Sequence, residues 1–271
     1  MDAIADLAYP LPVAVICEML GVPKEDQPQF SGWSAVLAKS LDPDIMMPPP
    51  EVLEKRAWAI RESRDYFRKL VAERRKDLRD DILSGLIAAE NEGDKMNETE
   101  LLSTCSLLLI AGHETTVNLI GNGIYRLLQY PAQLAKFKAN WDSAPKVVEE
   151  VLRFDPPVQF DGRICIEEAE VGGFTVPPGQ FVLMLIGAAN RDPSVFEDPN
   201  TFDVTRDATG HMAFGYGIHF CLGAPLARIE GQIALRSLFQ RFPNLRLQSD
   251  ATPKYREQIT LRGIAELPLA W

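Results

Sequence analysis

The stretch from Asn97 to about Tyr130 constrains this chain more than any other. Asn97 and Glu100 form an N-x-x-E variant of the capping box, and helix-compatible residues then run unbroken until Pro131. Roughly 33 residues at 1.5 Å each span about 50 Å. Its middle, Leu107–Ala111 and Val117–Ile120, is apolar on almost every side, so the helix is expected to cross the interior. Inside it lies Ala111-Gly112-His113-Glu114-Thr115-Thr116. A glycine, an acid and two β-branched alcohols are poor choices for a buried helix centre on propensity alone. Gly112 marks a point where the helix can loosen.

The rest of the first half also reads as helices. Pro12–Leu20 is a short apolar helix stopped by Gly21, and Lys24–Lys39 is a second. Ser40–Pro50, with Pro43 and three prolines at Pro48–Pro50, is a loop. Glu51 to about Lys76 is a long charged helix with an apolar stripe through Trp58, Phe67 and Val71. Asp80–Asn91 is another amphipathic helix, closed by Gly93. A helix near Ser143–Phe154 ends at Pro156-Pro157. The pattern then changes. Arg163–Ile166, Glu170–Val176 and Gln180–Leu185 read as strands, with a Pro177-Pro178-Gly179 turn before the last. Asn190–Gly210 is irregular, and a final long helix runs from about Ala224 to Phe242. The fold class expected is mainly α with a minor β-sheet, residues 1–271 forming one domain.

Composition removes several functions. The 38 acidic against 28 basic residues give a net charge of −10, which argues against a nucleic-acid partner or an anionic membrane surface. The apolar runs are far below the roughly 18 residues of a membrane helix, and no secretory signal opens the chain. The expectation is a soluble, cytoplasmic protein with no membrane partner. Cys17, Cys105, Cys165 and Cys221 form no CxxC pair. The first three sit in apolar runs and read as small core hydrophobes. His113, His211 and His219 are too few and badly spaced for a zinc site.

Only Cys221 sits among glycines. Phe214-Gly215-Tyr216-Gly217-Ile218-His219-Phe220-Cys221-Leu222-Gly223 can turn tightly and approach a planar ligand closely. Cys221 stands just ahead of a long helix, whose unpaired amides and positive end favour a thiolate. A thiolate suits haem iron. A tight loop around a buried structural cysteine is the alternative reading of these residues alone.

This ten-residue run is similar to the cysteine-ligand loop F-x-x-G-x-[HR]-x-C-x-G of the cytochrome P450 family, and the chain resembles bacterial soluble P450s. Ala111–Thr116 resembles that family's oxygen-binding segment, [AG]-G-x-[DE]-T-[TS]. Glu150-Val151-Leu152-Arg153 resembles its E-x-x-R pair. The three follow the family's order, and Ala189-Asn190-Arg191-Asp192-Pro193 fits as well.

The resemblance implies haem b with an axial thiolate from Cys221, and a monooxygenase that inserts one oxygen atom from O2 into a small apolar substrate. Electrons would come from a ferredoxin or similar donor. Glu114 and Thr115 would order the delivery of protons to oxygen; a Thr115 bonded back one turn of its own helix is the alternative. Glu150 and Arg153, three apart on one helix face, would be a buried structural pair rather than a surface one. The arginine that commonly completes that pair is replaced by Thr201 within Pro199-Asn200-Thr201-Phe202, and Arg206 stands nearby. Arg163 and His219 would meet the porphyrin carboxylates, with a strand-edge surface cation as the other reading of Arg163. Phe214, Gly215 and Ala111 would line the haem. Val158, Gln159, Phe160, Leu107–Ala111 and Ile259 match substrate-contacting segments, with core packing as the alternative for each. Leu7–Pro23 resembles a phrase well inside a full-length P450, so a P450 fold lacking its N-terminal third is expected. The competing expectation is a non-catalytic remnant with weak or no haem binding.

Overall fold

The computed structural model describes residues 1–42, 48–91, 96–248 and 253–271. The chain divides into two compact units, Met1–Val117 and Asn118–Trp271. In the first, α1 (Pro10–Leu20) ends where Gly21 takes φ +68°, with the Gly21 and Val22 amides donating to the carbonyls of Glu18 and Cys17. α2 (Gln27–Lys39) and α3 (Pro50–Arg74) follow, each with proline in its first turn. α4 (Ile82–Asn91) precedes α5 (Glu98–Gln129).

The capping box of α5 is formed in both directions. The Glu100 amide donates to Asn97 Oδ1 at 3.0 Å, and the Asn97 amide to Glu100 Oε2 at 2.8 Å. The breaks expected at Pro43 and Gly93 lie outside the described residues. Phe30, Trp33 and Phe67 form the aromatic centre of this unit, packed with Leu20, Leu83 and Leu101. Arg74 and Asp81 make a buried ion pair, and Arg74 Nη2 also donates to the Gly21 carbonyl at 2.8 Å. Trp58 departs from its expected place in the apolar stripe: it is 41% exposed, while Phe67 and Val71 on the same helix are buried.

α5 is continuous through Gly112, so the expected loosening there is absent. The glycine instead allows a close approach, since a Cβ at Gly112 would overlap the Ile16 side chain of α1.

The second unit holds the rest of α5, then α6 (Pro131–Ala139) and α7 (Ala144–Phe154). Pro131, which ends one helix, occupies the first position of the next. β1 (Asp161–Ile164) precedes β2 (Ala169–Val171) and β3 (Phe174–Val176), followed by β4 (Phe181–Met184). The expected strand Glu170–Val176 is therefore a hairpin. Gly172 and Gly173 both take positive φ, the requirement of the tight turn that matches strand twist. β1 pairs antiparallel with β4, Asp161 opposite Met184.

A short helix, α8 (Ile186–Ala189), leads into the irregular stretch. There Asp192, Asp203 and Asp207 each accept from a Ser or Thr amide two residues on, a local substitute for regular structure. α9 (Ala224–Arg241) closes the helical part, and β5 (Arg246–Leu247) pairs with β6 (Leu269–Ala270). α5, α7 and α9 meet through glycine notches. A Cβ on Gly231 would come within 3.2 Å of Leu119 and 3.3 Å of Val148, and one on Gly123 within 3.1 Å of Leu235. No helix among the described residues is long and apolar enough to cross a membrane.

Candidate functional site

Gly215 and Gly217 adopt φ of +71° and +76°, a region closed to most L side chains. They fold 214–223 into a loop whose neck is the bond from the Cys221 amide to the Phe214 carbonyl, 3.0 Å long. A short 3-10 turn, Gly217–His219, fills the loop, and α9 begins three residues past Cys221. The cysteine thus precedes the positive end of an 18-residue helix. A methyl group on Gly223 would sit 3.9 Å from the Cys221 Sγ, so glycine leaves that flank of the sulfur clear. Tyr216, Ile218, Phe220 and Leu222 are all exposed, Ile218 to 98%. His219 is exposed and Phe214 half-buried.

Glu150 and Arg153 of α7 are completely buried. Arg153 grips the carboxylate with two bonds, Nε to Oε2 at 2.7 Å and Nη2 to Oε1 at 2.9 Å. Nη1 donates to the carbonyls of Asn190 (3.0 Å) and Pro199 (2.9 Å), and Nη2 to that of Thr201 (3.2 Å). All five guanidinium donors are engaged, which a buried charge requires. Glu150 Oε1 also accepts from the Asp203 amide. Arg206 stands 3.6 Å from Glu150 Oε1 and donates to the Asp198 and Thr201 carbonyls. Thr201 contributes only its backbone oxygen to these contacts.

A second ionic cluster adjoins the loop. Glu149 accepts from Arg228 (Nε to Oε1 2.7 Å, Nη2 to Oε2 2.9 Å) and from His211 Nε2 at 3.0 Å. Burial raises the affinity of Glu149 for its proton, yet the bonds from His211 and Arg228 hold its pKa at about 2. The Arg228 guanidinium lies over the Phe214 ring, 4.5 Å from its centre. The sequence does not announce this cluster, because His211 carries no spacing that links it to Glu149 or Arg228. The available signal was the doublet Glu149-Glu150: neighbours on a helix point about 100° apart, so the second acid needs its own cations.

In the first unit, Glu114 is buried and its Oε1 lies 3.5 Å from His113 Nε2. His113 Nδ1 is 2.6 Å from the Leu109 carbonyl. Thr115 Oγ1 donates to the Ala111 carbonyl at 3.0 Å, the back-bonded arrangement of a helical threonine. Ala111 and Leu107 are exposed on this helix.

Val158 bridges Leu261, and the Gln159 amide donates to the Thr260 carbonyl. The half-buried Val158–Phe160 and the exposed Ile259 therefore lie on adjoining segments. Gln159 spends its side-chain amide on the Pro156 carbonyl. Arg163 is exposed and paired with Asp161 at 2.7 Å, as a strand-edge cation would be.

The donor chemistry fits haem. Burial pushes the thiols of Cys17 and Cys105 up to about 12, which leaves them inert. Among the described residues no cluster of three or more His, Cys, Asp or Glu can hold a metal ion. A single cysteine in a glycine-turned, apolar loop suits an iron that brings its other ligands with it, as porphyrin iron does.

Comparison with known proteins agrees. The cytochrome P450 family model matches residues 32–145 and 144–266. The chain is 44% identical over 99% of its length to 6-deoxyerythronolide B hydroxylase of Saccharopolyspora erythraea, and 42% identical over 100% to the biotin biosynthesis cytochrome P450 of Bacillus subtilis. It spans 65% and 67% of those proteins. Among solved structures it superposes with TM-score 0.95 on an econazole-bound cytochrome P450 of Mycobacterium smegmatis, at 46% identity. That match covers 100% of this chain and 68% of the other. With P450BioI, solved in complex with an acyl carrier protein ligated to hexadec-9Z-enoic acid, the TM-score is 0.93 at 42% identity, covering 100% and 69%. With the cysteine loop, the sealed Glu150–Arg153 pair and these likenesses along nearly its whole length, the chain belongs to the cytochrome P450 family.

Proposed function

We propose that residues 1–271 are part of one cytochrome P450 domain that acts as a haem-thiolate monooxygenase on a small apolar organic substrate. The observation that carries this reading is the loop 214–223, which sets Cys221 just ahead of α9 with its amide bonded to the Phe214 carbonyl. Cys221 would be the axial ligand of haem b. Haem, when bound, supplies the dioxygen and one-electron chemistry, and a thiolate ligand pushes electron density toward the metal. Phe214, Gly215 and Ala111 would contact the macrocycle, and the Arg163 guanidinium and His219 imidazole would pair with its carboxylates. For Arg163 this means exchanging Asp161 for a propionate.

Glu114 and Thr115 would hold and pass protons, the Thr115 hydroxyl turning from the Ala111 carbonyl to a proton acceptor. Glu150 and Arg153 would keep 190–206 folded around the loop. Val158, Phe160 and Ile259 would face the substrate. A ferredoxin-type protein in the cytoplasm would supply electrons.

The test is the absorption spectrum of the chain purified with haem, reduced under carbon monoxide, beside Cys221→Ala. A red-shifted Soret band that vanishes in the variant supports the reading. Failure to take up haem, or an unshifted band, overturns it and leaves the chain as a non-catalytic remnant of the family with weak, non-thiolate or no haem binding.

A further inference from the structure

The loop that carries Cys221 hangs on two ends. One leaves the irregular stretch at His211, and the other enters α9. Both ends converge on Glu149. Its carboxylate receives the His211 Nε2–H from the entering arm and two donors of Arg228 from the leaving helix. The tautomer of His211 is set by the loop itself, since the Ala213 amide donates to Nδ1 at 3.2 Å. Nδ1 therefore offers a lone pair, and the ring proton belongs on Nε2, facing Glu149.

Arg228 does more than close the pair. Its face covers the Phe214 ring, and Phe214 supplies the carbonyl that receives the Cys221 amide. The contacts run Glu149, Arg228, Phe214, Cys221 without a gap. The entering arm is pinned a second time, because the Met212 amide donates to Asn190 Oδ1 at 2.7 Å. Through Phe214 the Arg228 cation stands one residue from Cys221, so whatever balances that cation is felt at the sulfur.

We infer that Glu149, His211 and Arg228 are positioning residues forming a charge-balanced clamp, which fixes the neck of the Cys221 loop and sets how strongly the sulfur donates electrons. The inference rests on the haem-thiolate reading. With neutral His211, the carboxylate and guanidinium cancel. Removing the carboxylate leaves an unbalanced cation near the sulfur and weakens its donation; removing the guanidinium leaves an unbalanced anion and strengthens it.

The experiment compares wild type, Glu149→Gln, Arg228→Gln, Arg228→Lys and the double variant Glu149→Gln/Arg228→Gln. One readout is the reduction potential of the haem-loaded chain. Glu149→Gln raises it and Arg228→Gln lowers it. The double variant and Arg228→Lys return close to wild type. The other readout is amide hydrogen exchange at Cys221 in the haem-free chain, which accelerates by about tenfold in every variant as the neck opens.

A merely structural role would move both single variants the same way, so potentials that shift together or not at all overturn the charge balance. Unchanged exchange at Cys221 overturns the clamp. If wild type takes up no haem while its variants exchange faster, the clamp stands and the haem-thiolate reading falls.

Discussion

Glu230 of α9 is 5% exposed, and neither carboxylate oxygen has a hydrogen-bond partner among the described residues. Its neighbour Gly231 faces Leu119 and Val148 where α5, α7 and α9 meet. Burial raises its pKa from an ordinary 4.5 to about 7. At about 1.4 kcal/mol per tenfold change in proton affinity, an ionised Glu230 costs the fold about 3 kcal/mol. The sign follows from which state holds the proton. Below pH 4.5 the group is neutral in both states and costs the fold nothing. Between about 4.5 and 7 the unfolded chain releases the proton while the folded chain keeps it, so stability falls as pH rises; above about 7 the loss is constant. Glu230→Gln removes this titration. Urea denaturation of both proteins across that range should show the variant gaining on wild type by about 3 kcal/mol between the two ends. The other carboxylates titrate in both proteins and cancel in the difference. Parallel pH profiles would refute the reasoning, because they would mean that the carboxyl is solvated or paired.

Two further perturbations separate function from packing. Thr115→Ala deletes a hydroxyl that bonds only its own helix in the described contacts, so stability should change by no more than about 0.5 kcal/mol. Under turnover, the electrons consumed per product formed should rise; unchanged coupling would remove Thr115 from proton delivery. Gly21→Ala places a Cβ into the Arg74–Asp81 pair from a left-handed backbone, and should cost at least about 3 kcal/mol. A denaturation midpoint showing a loss below about 1 kcal/mol would mean that the pair gives way easily.

Helix ends were legible because they are written in local chemistry. Gly21 stops α1, the Asn97–Glu100 box starts α5 and Pro131 divides α5 from α6. The hairpin at Gly172-Gly173 was misread as one strand because the residues on either side share the same β-rich character, and only the paired positive φ reveals the turn. Trp58 was misplaced because a helical stripe gives a direction and not the partner that covers it. Gly112 illustrates the same gap: its composition signal was real, but its cause, the Ile16 side chain, comes from α1, about 100 positions earlier. Of the site, the cysteine, the glycines and the Glu150–Arg153 spacing were readable as motifs. Glu149, His211 and Arg228 were not, since their meeting depends on three elements that share no spacing rule.

The adjacency of Glu149 and Glu150 explains why one turn of α7 can organise so much irregular chain. Successive residues project about 100° apart, so the two carboxylates serve different segments. Glu150, with Arg153, gathers the carbonyls of Asn190, Pro199 and Thr201 and the amide of Asp203. Glu149 gathers His211 and Arg228. Asn190 links the two systems, its carbonyl receiving Arg153 and its side-chain oxygen receiving the Met212 amide. A stretch with little regular structure has few ladder bonds to hold it, so its backbone groups must be satisfied by side chains. Charged donors and acceptors do this with the shortest and strongest bonds available. Replacing Glu150 and Arg153 with apolar residues of equal volume would therefore take these partners from the Asn190, Pro199 and Thr201 carbonyls and the Asp203 amide, whatever was gained in packing. That is the physical reason for a half-buried and a buried acid side by side on a helix that, by propensity alone, needs neither.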